Sequence, residues 1–171
     1  MSATVTPDLV RRALLRGRVR ADPIHRPPWA LAEVEFLDAC TGCRACIERC
    51  PEQVLVRGAG GYPEFDPKRG ECTFCGECAD ACTARALDRA VGQPPWHWMA
   101  SVGADCLARN GVVCVSCRDH CPEQAIGFRP VVGVATPQID NARCTGCGAC
   151  VGVCPTAAIE LRDAAACEAG P

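Results

Sequence analysis

The chain has few aromatic residues and lacks a long apolar run. Only 5% of its 171 residues are Phe, Trp or Tyr, so we do not expect a large aromatic-rich core. No stretch reaches the roughly 18 apolar residues that a membrane-spanning helix needs, and we therefore predict no membrane span. His25, His97 and His120 have no carboxylate or serine partner at a recognisable spacing, so we predict that the protein is not an enzyme.

Charge is unevenly distributed along the chain. The formal net charge is -2, yet residues 1–26 carry six arginines against two aspartates. We predict that these residues form a basic N-terminal arm, with a short amphipathic helix that begins at Thr6 and ends near Gly17. The arm either contacts an acidic partner surface through Arg11, Arg12 and Arg16 or is a solvated tail. The arginines are not interleaved with aromatic residues, so we expect no nucleic-acid binding.

An export signal is the other interpretation of this arm. The run Arg11–Arg16 superficially resembles a twin-arginine signal, which requires an apolar region of roughly 7 to 15 residues directly afterwards. Residues 17–23 are instead polar and include Gly17 and Pro23. We therefore predict a cytoplasmic protein whose thiols are reduced unless they bind metal.

Cysteine is unusually frequent, with 17 copies, and most of them fall into a repeated motif. Motif 1 (residues 40–51) and motif 4 (residues 144–155) match CxxCxxCxxxCP, the run that binds [4Fe-4S] clusters in bacterial-type ferredoxins. Motif 2 (residues 72–83) has the same cysteine spacing but ends in Thr83 instead of proline, which puts the geometry of that turn in doubt. The sequence thus predicts iron–sulfur chemistry.

An internal repeat identifies the remaining motif. Pro-Pro-Trp occurs at residues 27–29 and 94–96, and Cys-Pro-Glu-Gln occurs at residues 50–53 and 121–124. Alignment of the two halves makes Cys106 the first cysteine of motif 3 (residues 106–122), with seven residues instead of two before Cys114. We predict ferredoxin-like modules at residues 27–92 and 93–163, followed by a disordered tail at 164–171 that contains Cys167.

The spacing within each motif also predicts which cysteines share a cluster. Two-residue steps let three sulfurs face one cluster, whereas the fourth cysteine lies about one helical turn further on and faces the neighbouring cluster. The four predicted ligand sets are site 1 (Cys40, Cys43, Cys46, Cys82), site 2 (Cys72, Cys75, Cys78, Cys50), site 3 (Cys106, Cys114, Cys117, Cys154) and site 4 (Cys144, Cys147, Cys150, Cys121).

Other uses of these cysteines are less consistent with the spacing. Structural zinc favours two separated CxxC pairs, which leaves the third cysteine and the following proline unexplained. Disulfides would require export. Site 3 has three alternatives: a complete four-iron cluster through Cys106, a [3Fe-4S] or labile cluster on three cysteines, or no cluster.

The order of these features resembles the NapF ferredoxin-type accessory proteins of periplasmic nitrate reductase. The resemblance rests on the arm at residues 11–17, Arg26-Pro-Pro-Trp29, three regular motifs and one stretched motif. It implies a cytoplasmic protein that binds the catalytic subunit of the reductase before export and helps it acquire its own iron–sulfur cluster. Thr83 after Cys82 is the clearest departure from the generic ferredoxin motif.

We therefore expect an α+β protein of two tandem bacterial-ferredoxin-like modules, each with short hairpins and helices around two [4Fe-4S] clusters. Because the clusters replace much of a core, the apoprotein should be largely unfolded. Three functions remain open from the sequence: a maturation factor for the nitrate reductase precursor, a polyferredoxin electron carrier, and a scaffold with purely structural clusters.

Overall fold

The computed structural model describes residues 23–89, 94–129 and 132–164. Two predicted segments lie outside the described residues. They are the arm helix, with Arg11, Arg12 and Arg16, and the part of the tail that contains Cys167. Short helices and strands follow one another in the order α1 (Glu33–Ala39), α2 (Ala45–Glu48), β1 (Leu55–Arg57), a 3-10 turn (Ala59–Gly61), β2 (Pro63–Phe65), α3 (Glu77–Asp80), β3 (Trp98–Val102), α4 (Ser116–Asp119), β4 (Ile126–Phe128), β5 (Pro137–Ile139), α5 (Ala149–Gly152) and β6 (Ile159–Asp163). This mixture of elements agrees with the predicted α+β class.

Two antiparallel hairpins repeat with the same register. Leu55 pairs with Phe65 across β1 and β2, and Ile126 pairs with Ile139 across β4 and β5. The residue after each second strand makes the same hydrogen bond to the residue before the first strand. The Asp66 N–H donates to the Val54 carbonyl at 2.9 Å, and the Asp140 N–H donates to the Ala125 carbonyl at 2.7 Å. The internal repeat predicted from the sequence is therefore present in the backbone pairing.

The beginning and end of each half also pair, but to different extents. In the second half, β3 and β6 form an antiparallel pair of five residues each, from Trp98↔Asp163 to Val102↔Ile159. Among the described residues of the first half, residues 23–89, this pairing is a single bridge, Ala30↔Leu87, and helix α1 precedes motif 1. Ala32 provides no side-chain cap for α1, and the buried face of this helix consists of Phe36.

The core is built mainly from aliphatic side chains and cysteines, with two phenylalanines. Its largest fully buried side chains are Phe36 and Leu161. The third cysteine of each motif is buried as well, with 7–8% of its surface exposed: Cys46, Cys78, Cys117 and Cys150. The hydrophobic core thus converges on the same position of all four motifs, as expected where a bound cluster replaces apolar side chains.

Among the described residues, no helix combines the length and apolar character that crossing a bilayer demands.

Candidate metal centres

Each regular motif contains a left-handed residue directly after its second cysteine. Arg44, Gly76 and Gly148 have φ of 69°, 85° and 90°, and helices α2, α3 and α5 begin at the next residue. The chain therefore bends between the second cysteine and the helix that carries the third. Positive φ is costly for a side chain with a branched Cβ, which explains glycine at two of these positions.

Motif 3 departs from this pattern at the same position. Val115 precedes α4 with a φ of -131°, which is not left-handed. A β-branched residue avoids positive φ, so valine itself is incompatible with the bend that the other motifs use. The second-to-third cysteine loop of motif 3 is therefore of a different kind.

A second left-handed residue follows the fourth cysteine in all four motifs. It lies three positions further on, and its N–H donates to the carbonyl of that cysteine at 3.1 Å in each case: Gln53, Arg85, Gln124 and Ala157, with φ of 54°, 53°, 49° and 49°. Motif 2 makes this turn although Thr83 replaces proline. The doubt about its turn geometry is thereby removed.

Sites 2 and 4 are each formed around one cavity. Cys50, Cys72, Cys75 and Cys78 line the first cavity together with Trp29 and Phe74, while Cys121, Cys144, Cys147 and Cys150 line the second together with Ile126 and Leu161. In both cavities the fourth sulfur comes from the other motif of the same half. The structure therefore brings together the two crossed sets of cysteines that the spacing predicts.

The thiols of site 1 are also neighbours. The pKa of Cys46 is raised to about 11, first by burial and then by the charges of Cys40 and Cys82. Cys43 adds a smaller contribution of the same sign. Cys82 therefore lies close to the motif 1 thiols, as crossed ligation requires.

Site 3 is only partly brought together. The pKa of Cys117 is raised to about 11, first by burial and then by the charges of Cys106 and Cys114, against a hydrogen bond with the Arg118 backbone that lowers it. Cys154 takes part in its own turn, where the Ala158 N–H donates to its sulfur at 3.3 Å. The fourth ligand of this site thus stays a prediction.

The insertion in motif 3 forms an ordered turn. The Asn110 side-chain amide donates to the Ala104 carbonyl at 2.8 Å and to the Cys106 carbonyl at 2.9 Å. The Val112 N–H donates to the Leu107 carbonyl at 2.9 Å, and the loop ends in Val113, which is 80% exposed. The inserted residues therefore loop outward and leave Cys106 beside Cys117.

The chemistry of these thiols fits an iron–sulfur cluster. Burial and like charges raise the pKa values of Cys78 and Cys150 to about 12, so without a cation these thiols would be neutral at pH 7. Coordination to iron deprotonates a thiol, and thiolate is the soft ligand that clusters use. Backbone N–H groups donate to the sulfurs, as Ala125 does to Cys121 at 3.3 Å. No three His, Cys, Asp or Glu side chains among the described residues are grouped for a single metal ion.

Some groups around the sulfurs were not predicted from the sequence. The pKa of Cys43 is lowered, first by a hydrogen bond with the Ala45 backbone and then by one with the Thr41 side chain. The pKa of Cys147 is raised by burial, against hydrogen bonds with the Ala149 backbone and the Thr145 side chain. The available signal was the Cys-Thr pair that opens motifs 1, 2 and 4, whereas Leu107 follows Cys106. Glu52 and Glu123, from the repeated Cys-Pro-Glu-Gln, also line the cavities of sites 2 and 4.

Comparison with known proteins agrees with this geometry. Residues 39–87 and residues 112–158 each match a model described as a 4Fe-4S dicluster domain, and the second match begins after Cys106. We refer to the two halves of the chain as the first and second dicluster domains.

Curated relatives match most of the chain. The ferredoxin-type protein NapF of Escherichia coli K12 is 44% identical over 154 residues, which cover 89% of this chain and 93% of the relative. NapF of Haemophilus influenzae is 41% identical over 81% of this chain and 78% of its own length. The methylamine utilization ferredoxin-type protein MauM of Methylobacillus flagellatus is 31% identical over 95% of this chain and 77% of its own length. The chain belongs to the family of NapF ferredoxin-type proteins.

Proposed function

We propose that this protein is a cytoplasmic iron–sulfur accessory protein that binds the precursor of the catalytic subunit of a periplasmic nitrate reductase. It helps that subunit acquire its own cluster before export and is not itself an enzyme. The sixteen cysteines of sites 1 to 4 hold four [4Fe-4S] clusters, including a fourth cluster on Cys106, Cys114, Cys117 and Cys154. Family membership supports the class of function, and the differences among the sites support the role.

The observation that favours maturation is the irregularity of site 3. Its first and second cysteines are separated by a seven-residue outward loop, and its second loop lacks the left-handed residue of the other motifs. Closing a longer loop around one cluster costs more conformational entropy, so a cluster bound there is held more weakly and is released more easily. An electron carrier or a structural scaffold has no need for one site that differs in this way.

A binding experiment tests the partner. The cluster-loaded protein, purified without oxygen, is used to capture the reductase precursor with its leader peptide, and the matched bait is the variant with Arg11, Arg12 and Arg16 changed to glutamine. We expect the wild-type chain to retain the precursor and the variant to retain much less, increasingly so at low salt, because exposed charges are screened by salt. Failure of both baits to retain the precursor would contradict the proposed partner.

A transfer experiment separates maturation from electron carriage. The protein is loaded with labelled iron and mixed with cluster-free precursor, and label on the precursor is counted after the two are separated. We expect transfer, with a smaller transferred amount from Cys106→Ala than from a chain in which only Cys167 is changed. An electron carrier would keep its label in both cases.

A further inference from the structure

The two dicluster domains meet directly between sites 2 and 4. The Cys72 N–H donates to the Cys147 carbonyl at 2.8 Å. Cys72 lines the site 2 cavity and Cys147 lines the site 4 cavity. A single backbone hydrogen bond therefore joins ligand loops that belong to different domains.

Trp96 makes a second contact between the same two sites. Its ring centroid lies 5.2 Å from that of Phe74, which lines site 2, and its indole N–H donates to the carbonyl of Thr145, which lines site 4, at 2.9 Å. The ring also lies 4.9 Å from Phe65 of the first domain. The second Pro-Pro-Trp thus places an aromatic ring across the junction.

Gly152 shows that the sequence is adapted to this close approach. The position between the third and fourth cysteines is acidic in the other three motifs: Glu48, Asp80 and Asp119. A Cβ at Gly152 would lie 3.2 Å from the carbonyl oxygen of Lys68 and 3.5 Å from that of Pro67, both in the first domain. Motif 4, which approaches the backbone of residues 67–68 in the first domain, therefore has the smallest residue at this position.

We propose that the sites form one row in the order 1, 2, 4, 3, with sites 2 and 4 adjacent across the domain junction, so that clusters in the two domains are electronically coupled. Cys82 and Cys50 cross between sites 1 and 2 within the first domain, and Cys121 crosses to site 4 in the second. The hydrogen bond from Cys72 and the ring of Trp96 connect these two pairs. The irregular site 3 then lies at one end of the row.

The coupling involves electrons alone. A one-electron reductant such as dithionite supplies each electron, and passage between sites neither breaks a bond nor moves a proton. The proposed row of sites does not depend on which partner the protein binds. It depends only on the contact between the two domains and on bound clusters.

The test compares Gly152→Leu with Asp119→Leu in the full, loaded chain. Gly152 and Asp119 occupy the same position of motifs 4 and 3, so the control adds the same side chain away from the junction. Gly152→Leu combined with Trp96→Ala is a second junction variant, used if leucine alone is accommodated. Iron and sulfide contents are matched to the wild type before comparison.

Two readouts are measured on each protein. Amide exchange at Cys72 reports the hydrogen bond to Cys147, and the EPR spectrum after dithionite reduction reports magnetic interaction between clusters. In the junction variant we expect exchange at Cys72 to be about tenfold faster, the effect of losing one hydrogen bond, with narrower EPR lines that saturate at lower power. The wild type and Asp119→Leu should share slow exchange and broad lines.

Two results would overturn the proposal. One is free exchange at Cys72 in the loaded wild type, since the domains would then not be held at this contact. The other is a junction variant whose Cys72 amide has become exposed while its EPR spectrum equals that of the wild type.

Discussion

The two dicluster domains hold their clusters and their chain ends by different means. In the first domain both motifs have the left-handed residue before their helix, at Arg44 and Gly76, and the chain ends meet at the single bridge Ala30↔Leu87. In the second domain motif 3 lacks that residue, but β3 and β6 pair over five residues. The domain with the irregular ligand loop thus has the longer sheet. Strand pairing there supplies order that a regular ligand loop supplies elsewhere.

Removal of the clusters should have the largest effect on the structure and should abolish the difference between the two domains, because both should unfold. The core includes the four buried cysteines, one from each motif, so we expect a strong chelator to abolish most of the circular dichroism of both domains. The rate of amide hydrogen exchange, measured during chelation, should rise first around motif 3. A chain that keeps its native spectrum after its iron is gone would contradict this account.

Cys82→Ala should remove one cluster and test crossed ligation. Its sulfur lies near Cys46, so site 1 should be damaged while the three remaining motif 2 cysteines keep site 2 loaded. The expected loss is about four irons per chain, measured with sulfide on anaerobic protein. Cys167→Ala, a cysteine outside the motifs, is the control and should keep full iron content. Loss of iron from site 2 instead would refute the crossing.

Gly76→Val should make motif 2 resemble motif 3. Gly76 has a φ of 85°, which a β-branched residue resists at a cost of about 1–2 kcal/mol, and a Cβ there would also displace the Arg89 side chain. We expect faster loss of iron from site 2 to a weak chelator. Gly76→Asn is the control, because asparagine tolerates left-handed backbone, and should lose iron more slowly. Equal rates for the two variants would show that backbone conformation does not govern the lability of a site.

Arg26→Leu should have the smallest effect and concerns the chain end of the first domain. The Arg26 guanidinium bonds to Glu33 at 2.7 Å and lies 4.8 Å from the Phe36 ring centroid, and its side chain is only 11% exposed. We expect a loss of about 1–2 kcal/mol in the free energy of unfolding of the loaded protein, from the ion pair and the cation–π contact together.

The matched control for that loss is Arg162→Leu. The ion pair of Arg162 with Glu160 is exposed on both sides, with 56% and 67% of the side chains accessible, so its removal should change the stability little. The comparison is made from thermal unfolding under anaerobic conditions. A larger loss for Arg162→Leu would contradict the view that Arg26 fixes this end of the domain.

The sequence predicted the parts of the fold that depend on ligand chemistry. Spacing of two and three residues between cysteines predicted the crossed sets that line sites 2 and 4, because short steps fix where sulfurs can point. Alignment of the repeat predicted that Cys106 belongs with Cys117; its charge acts on Cys117, and its role as a ligand stays a prediction. These features depend on residues close together in the sequence or in its repeat, so the sequence alone is enough to predict them.

Features that arise from packing were not predictable in this way. Helix α1 has no side-chain cap at Ala32, so nothing in the sequence marked its start. The left-handed turn at Gln53, Arg85, Gln124 and Ala157 occupies residues with no common chemistry, since it follows from closure around the preceding cysteine. The reason for glycine at position 152 is its close approach to the Lys68 backbone of the other domain, which only the folded structure shows.

The exchange of fourth cysteines between motifs also orders the assembly of the protein in time. With Cys82 as its predicted fourth ligand, site 1 cannot be completed during synthesis until Cys82 has left the ribosome, more than thirty residues after Cys46. The distant ligand of site 4, Cys121, is synthesised before motif 4. Site 4 can therefore be completed as soon as Cys150 has left the ribosome. With Cys154 as its fourth ligand, as we propose, site 3 is the last to close. The site best suited to give up a cluster would then also be the last to receive one.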